Sequence, residues 1–218
     1  MKHRRGPGDV DRPSYRVVSG LQRFLEQQPN MGIKPGSKPG LVIEGRFCFS
    51  AESIGREMIN DSYGLLLEIP ETFPRALPRV SERDYKIPRT PNFHVNGDGT
   101  LCLGSPLRLL WMLSQKPSLP GFASECLVPY LYAVSHKLKF GGKLPFGELA
   151  HESPGVLADY ADLFCLNSPD AARRALALLR LKKRIANKLP CPCGCGRRLG
   201  ACEFNWTIRK FRRILKGY

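Results

Sequence analysis

No apolar run in this 218-residue chain is long enough to span a bilayer. The longest apolar-rich stretch, Cys126 to Val134, falls far short of the roughly 20 residues a membrane helix needs. The start, Met1 to Arg12, is basic with no apolar stretch behind it, so a secretory leader is not expected there and a flexible basic arm over residues 1–13 is. No internal repeat or low-complexity tract is evident, which excludes a repeat architecture. Acidic residues are few, 19 against 34 Lys and Arg, and they are nearly missing from one region. From Ala171 onward 14 Lys and Arg face a single acid, Glu203, giving +13 over the last 48 residues and only +2 over the preceding 170. Such asymmetry marks a surface that meets something acidic.

The hydrophobic share, 42%, is that of a folded protein, and the length suits one ordinary domain plus a small appendage. Eight cysteines are present. Four of them, Cys191, Cys193, Cys195 and Cys202, crowd into twelve residues, while Cys48, Cys102, Cys126 and Cys165 are scattered. Without a secretory signal, that crowding points to metal binding rather than disulfides, and to a reducing, cytoplasmic compartment.

Along the chain, Val17, Val18, Leu21, Phe24 and Leu25 have helical spacing, predicting an amphipathic helix over Tyr15 to Gln27. Pro29 to Gly40 is rich in Gly and Pro and reads as a loop. Leu41 to Phe49 and Tyr63 to Ile69 read as strands. Ile69 to Val80 (IPETFPRALPRV) is punctuated by proline, which cannot continue a ladder, and reads as an extended surface segment. Asn92 to Thr100 (NFHVNGDGT) carries a strong turn signal and leads directly into Leu101, Cys102 and Leu103. Pro120 to Lys137 has helical character, with Pro129 either kinking the helix or starting it. Ser153-Pro154 and Ser168-Pro169-Asp170 are cap-like starts, the second opening a helix through about Lys188 with Ala172, Leu176, Leu179 and Ala186 on one face. The order predicts an α+β protein with an extension.

Several of these residues together resemble the ubiquitin-conjugating enzyme superfamily. Phe73-Pro74 followed by Pro78-Arg79-Val80 is similar to its proline-marked segment. Gly99-Thr100-Leu101-Cys102-Leu103 is similar to the stretch that holds its catalytic cysteine, and Trp111 suits the Trp that soon follows. The resemblance covers roughly residues 14–140. It implies an N-terminal helix, an antiparallel meander and C-terminal helices, here a domain over residues 14–166, with Cys102 forming a thioester. The family's His-Pro-Asn is missing. Aligned without a gap, Asn92-Phe93-His94 takes its place and His94 replaces the oxyanion-stabilising Asn. With a two-residue deletion His94-Val95-Asn96 aligns, and Asn96 keeps that role. This pattern is more similar to divergent bacterial relatives, as is Leu144-Pro145-Phe146-Gly147-Glu148. Those relatives occur beside activating enzymes, ubiquitin-like proteins and peptidases, often in antiviral operons. The chemistry itself asks for these residue types. A thiolate is both a nucleophile and a fair leaving group, a Gly97-Asp98-Gly99 turn lifts it to the surface, and an amide or imidazole donor can steady a tetrahedral oxyanion. His136 and His151 read as structural.

Cys191-Pro192-Cys193-Gly194-Cys195-Gly196-Arg197-Arg198, followed by Cys202, resembles the small zinc motif at the C-terminus of the SecA translocase. The family's last ligand position is Glu203 here and Cys195 stands where it has Ser. Four soft donors suit a tetrahedral site, which favours Cys195 as the fourth ligand over Glu203. A basic helical extension carrying this structural zinc knuckle is expected over residues 167–218. Its tail interleaves cations with Trp206, Ile208, Phe211, Ile214 and Leu215, as a helix docking on an acidic protein or nucleic acid does, or one covering a core with a solvated face. The expected partners are an activating enzyme, a ubiquitin-like modifier and a protein target, with no membrane. Two other functions compete: an inactive module that binds a ubiquitin-like protein, and a zinc-knuckle nucleic-acid adaptor.

Overall fold

The computed structural model describes residues 18–36, 39–53, 55, 57–144 and 153–216. The expected arm over 1–13, the first part of the Tyr15 to Gln27 helix, most of the Leu144 to Glu148 motif and His151 lie outside these residues. The described chain is mixed α and β, with one four-stranded antiparallel sheet in the order β1-β2-β3-β4.

A short helix, α1 (Leu21–Gln27), buries Phe24 and leads into β1 (Met31–Lys34). The long hairpin of β2 (Leu41–Ala51) and β3 (Ile59–Ile69) alternates buried with more exposed residues, as a sheet with one covered face must. Gly45 is obligatory in this register. A Cβ there would lie 2.1 Å from the Asn30 carbonyl oxygen, just before β1 begins to pair with β2. Two strands depart from the sequence expectation. β1 forms inside the segment read as a loop, because Met31 to Lys34 reaches the free edge of β2 before Pro35 stops pairing. β4 (Arg79–Glu82) forms at the end of the proline segment, because beyond Pro78 the amides are available again and Val80 drops into the core beside Leu67.

After the Cys102 loop come α2 (Pro106–Gln115), α3 (Leu119–Phe122), a π-helical turn (Ala123–Leu127) and α4 (Val128–Phe140). Pro129 stands in the first turn of α4, where its missing N–H is harmless, and the Val128 amide reaches back to the Ala123 carbonyl. Six consecutive α4 residues, Tyr130 to Ser135, are buried, and Tyr130, Leu131, Tyr132 and Val134 belong to the cluster under the sheet. Then follow α5 (Ser153–Leu163), α6 (Pro169–Arg180), α7 (Lys183–Ala186) and α8 (Asn205–Lys216). Ser168 caps α6 as expected, accepting from the Ala171 amide at 3.2 Å. The helix expected through Lys188 instead breaks after Arg180. Arg212 of α8 donates to the carbonyls of Leu178 and Leu181 at 2.6 and 2.9 Å, so a distant side chain satisfies the end of α6 and the chain turns.

The buried residues form two clusters. The first joins the sheet with α1, α3 and α4, and the second joins α5, α6, the cysteine-rich loop and α8. The 166/167 boundary expected from sequence falls within the second cluster. α2 serves both, giving Leu109 and Leu113 to the first and Leu107, Leu110 and Trp111 to the second. These are two faces of one helix at i, i+3 and i+4 spacing. Among the described residues no helix is long and apolar enough to cross a membrane.

Candidate functional site

Cys102 ends a small hairpin. Val95 pairs antiparallel with Leu101, the Asn96 amide donates to the Thr100 carbonyl at 2.8 Å, and the Cys102 amide donates to the His94 carbonyl at 2.7 Å. Cys102 thus stands across from His94, and Asn96 across from Thr100, with Gly97, Asp98 and Gly99 forming the turn. The turn is internally tied. Asp98 accepts from both the hydroxyl (2.6 Å) and the amide (3.0 Å) of Thr100, and Arg79 donates to it at 2.8 Å. The Thr100 bonds and the Arg79 charge hold the Asp98 carboxyl below its ordinary range. Gly99 has φ +80°, which favours glycine, and beside it lies the Arg89 guanidinium, itself stacked on exposed Tyr85.

The base of the hairpin is pinned to both neighbours. Leu101 donates to the Val80 carbonyl at 2.8 Å, continuing from β4. The Tyr130 hydroxyl, from α4, donates to the Phe93 carbonyl at 2.8 Å, and Lys137 donates to that of Asn92 at the same distance. These bonds hold the 3-10 turn Pro91–Phe93 and leave His94 in a left-handed conformation, φ 52°. Burial raises the Tyr130 phenol, with the Cys102 thiolate adding to the effect, so the hydroxyl lies within electrostatic reach of that sulfur. Tyr130 was not singled out in the sequence, where it is one apolar-type residue in a helical stretch with no local signal of its target.

Cys102 is half-buried. Cys126 is fully buried, and burial together with nearby Glu125 pushes its thiol up to about 12. Cys48 and Cys165 are exposed on β2 and just past α5. Asn96 donates its side-chain amide to the Thr100 hydroxyl at 2.9 Å. Trp111 does not join the hairpin. It packs in the second cluster with its indole nitrogen unpartnered and Lys210 5.1 Å from its ring centroid. His136 lies on α4 between Tyr132 and Phe140.

Downstream of Cys102, Ser105 precedes Pro106 at the start of α2 and is buried. Its hydroxyl donates to the Asp159 carboxylate of α5, which also accepts from Arg108 Nε at 2.6 Å. Arg108 further donates to Asp162 at 2.7 Å. This group ties the segment after the cysteine to the second cluster.

Cys191, Cys193, Cys195 and Cys202 converge, all four sulfurs lying within 4.8 Å of one another. The sulfurs of Cys191 and Cys193 are 3.1 Å apart, and those of Cys193 and Cys195 each lie 3.6 Å from that of Cys202. Zinc–sulfur bonds of about 2.3 Å would place tetrahedral sulfurs about 3.8 Å apart, so the four lie close enough to hold one ion. Glu203 does not join them. A Pro190–Arg198 bridge closes the loop, Gly194 and Gly196 turn it at positive φ, and Leu199 roots it in the second cluster. The Arg197 backbone amide, then the neighbouring thiols and the Arg197 side chain, pull Cys195 down to about 6, while burial raises Cys191.

No protein-family model, curated protein or solved structure matches this chain. Fold and site define an α+β protein with a four-stranded antiparallel sheet, a glycine-turn cysteine hairpin and a four-cysteine cluster.

Proposed function

We propose that the chain is a ubiquitin-conjugating-type enzyme that carries a ubiquitin-like modifier as a thioester on Cys102 and passes it to an amine of a protein target. The observation that carries this reading is the hairpin. It presents one half-buried cysteine past a glycine turn, opposite His94, beside a strand that follows the proline segment. The element order of helix, antiparallel meander, reactive loop and helices supports the same family likeness.

The steps follow from the residues. The Cys102 thiolate attacks the acyl carbon of the modifier's C-terminal thioester on an activating enzyme, and that enzyme's thiolate leaves. An uncharged target amine then attacks the new thioester. The tetrahedral oxyanion collapses, the carbon–sulfur bond breaks, Cys102 departs as thiolate and the nitrogen loses its proton to solvent. We assign oxyanion stabilisation to His94, which stands directly across from the cysteine on the hairpin. Asp98, saturated by Thr100 and Arg79, holds the turn and takes no proton.

The four cysteines suit zinc by their donor chemistry, and the ion would hold the loop that roots α8. The test is loading: with a cognate activating enzyme, ATP and modifier, Cys102 gains an adduct that thiol reductant removes. Cys102→Ala abolishes it and Cys102→Lys traps a stable amide. An adduct that survives Cys102→Ala overturns the site, and no adduct with any cognate partner leaves an inactive binding module.

A further inference from the structure

One face of α8 carries a run of cations and an aromatic ring that neither the hairpin nor the cysteine cluster uses. Ile208, Phe211 and Ile214 turn into the second cluster, whereas Trp206, Arg209, Lys210, Arg213 and Lys216 are all exposed. Trp206 is 67% exposed, and the Arg209 guanidinium lies 5.2 Å from its ring centroid. The helix contains no acid, and Glu203 is the only one from Ala171 onward, so no carboxylate on this helix offsets the charge.

We propose that this face binds single-stranded nucleic acid, with phosphates along the cation stripe and a base stacked on Trp206. From Arg209 to Lys216 the helix rises about 10.5 Å at about 1.5 Å per residue, and Arg209, Lys210, Arg213 and Lys216 follow one another at steps of about 1.5, 4.5 and 4.5 Å along one face. A cationic track of this kind follows the phosphate backbone of a single strand without regard to base sequence. An exposed indole flanked by guanidinium is a stacking platform, and it can stack only on a base that is free of a duplex. An anionic lipid surface fits less well. Amphipathic helices bind membranes by inserting their apolar face, and that face of α8 is already spent in the core. The proposal stands independently of the chemistry at Cys102.

The experiment is fluorescence anisotropy on the full chain, purified without chelator. The probes are labelled single strands of DNA and RNA of about 20 nucleotides, the matching duplex, and polyglutamate. Single strands of either sugar should bind more tightly than the duplex. Between about 50 and about 200 mM salt, log affinity should fall against log salt with a slope near −3, about −0.7 for each of four phosphates. Trp206→Ala should weaken single-strand binding roughly 5- to 100-fold and leave the slope unchanged. The double variant Arg209→Ala, Arg213→Ala should flatten the slope by about 1.4. All three side chains are exposed, so metal content and circular dichroism should match the parent chain. Binding unaffected by Trp206→Ala overturns the proposal, as does equal affinity for duplex or the lack of binding at about 50 mM salt. Polyglutamate binding as tightly as the strands also overturns it and makes the face a dock for an acidic protein.

Discussion

His94 and Cys102 face each other at the last rung of a short hairpin, joined by a 2.7 Å bond from the Cys102 amide to the His94 carbonyl. The pairing is a backbone one, so substituting the imidazole leaves the rung intact. His94→Ala should therefore load Cys102 nearly as well as the parent and discharge it to an amine about 10²–10³-fold more slowly, the usual cost of losing one oxyanion donor. Asn96→Ala should mainly loosen the turn. Single-turnover loading and discharge separate the two steps, and equal slowing of both would make His94 a fold residue.

The thiols should separate by environment. Cys126, buried and pushed up to about 12, should resist iodoacetamide at neutral pH until the chain unfolds, whereas half-buried Cys102 should react in the native state. Peptide mapping after brief alkylation reads this directly. Native-state labelling of Cys126 ahead of Cys102 would contradict it.

One zinc per chain should be found in protein purified without chelator, and its removal should loosen the second cluster first. Leu199, beside Cys202, is wholly buried there with Ile208 and Phe211, so the loop and α8 share one core. Hydrogen exchange after chelation should show lost protection in α8 while β2 and β3 remain protected. Elemental analysis without zinc would refute the assignment.

The two acids that Arg108 meets should differ sharply. Asp159 is buried and shared with Ser105, so Asp159→Ala should cost about 1.5–3 kcal/mol by urea unfolding. The Asp162 side chain is 79% exposed, and Asp162→Ala should cost under about 1 kcal/mol. Equal losses would mean that the tie from α2 to α5 does not depend on Asp159.

Asp61 sets an acid limit. Burial opposes its charge, but Lys86, Ser135 and the Ser62 amide together hold its carboxyl below the ordinary value. A carboxyl lowered in the folded state stabilises fully above its unfolded value, near 3.9, and that contribution fades as pH falls through the folded value. Stability should thus drop below about pH 4. In Asp61→Asn the drop should be shallower, with lower stability at neutral pH, as chemical denaturation across pH would show.

Much of this was legible because it is local. Leu41 to Phe49 and Tyr63 to Ile69 read as strands from their own composition, and the structure lengthens each to eleven residues. Ser168 announced α6 by its cap. The glycine turn before Cys102 and the spacing of the four cysteines lie within a few residues, so loop geometry alone could bring them together. β1 and β4 were illegible for the opposite reason. Glycine and proline dominate their surroundings, and only a waiting sheet edge makes four residues into a strand.

The sequence by itself determined the chemistry on offer: a thiol behind a glycine turn, soft donors within one loop's reach, and charge of one sign gathered at one end. Propensity and spacing over short separations decide such things. Tertiary structure alone decided that Tyr130 holds the reactive loop, that Arg212 ends α6, that α2 joins both cores, and which face of α8 stays in water. Each of those depends on contacts between residues some thirty or more positions apart, where no local pattern names the partner and only the packing of the whole chain selects it.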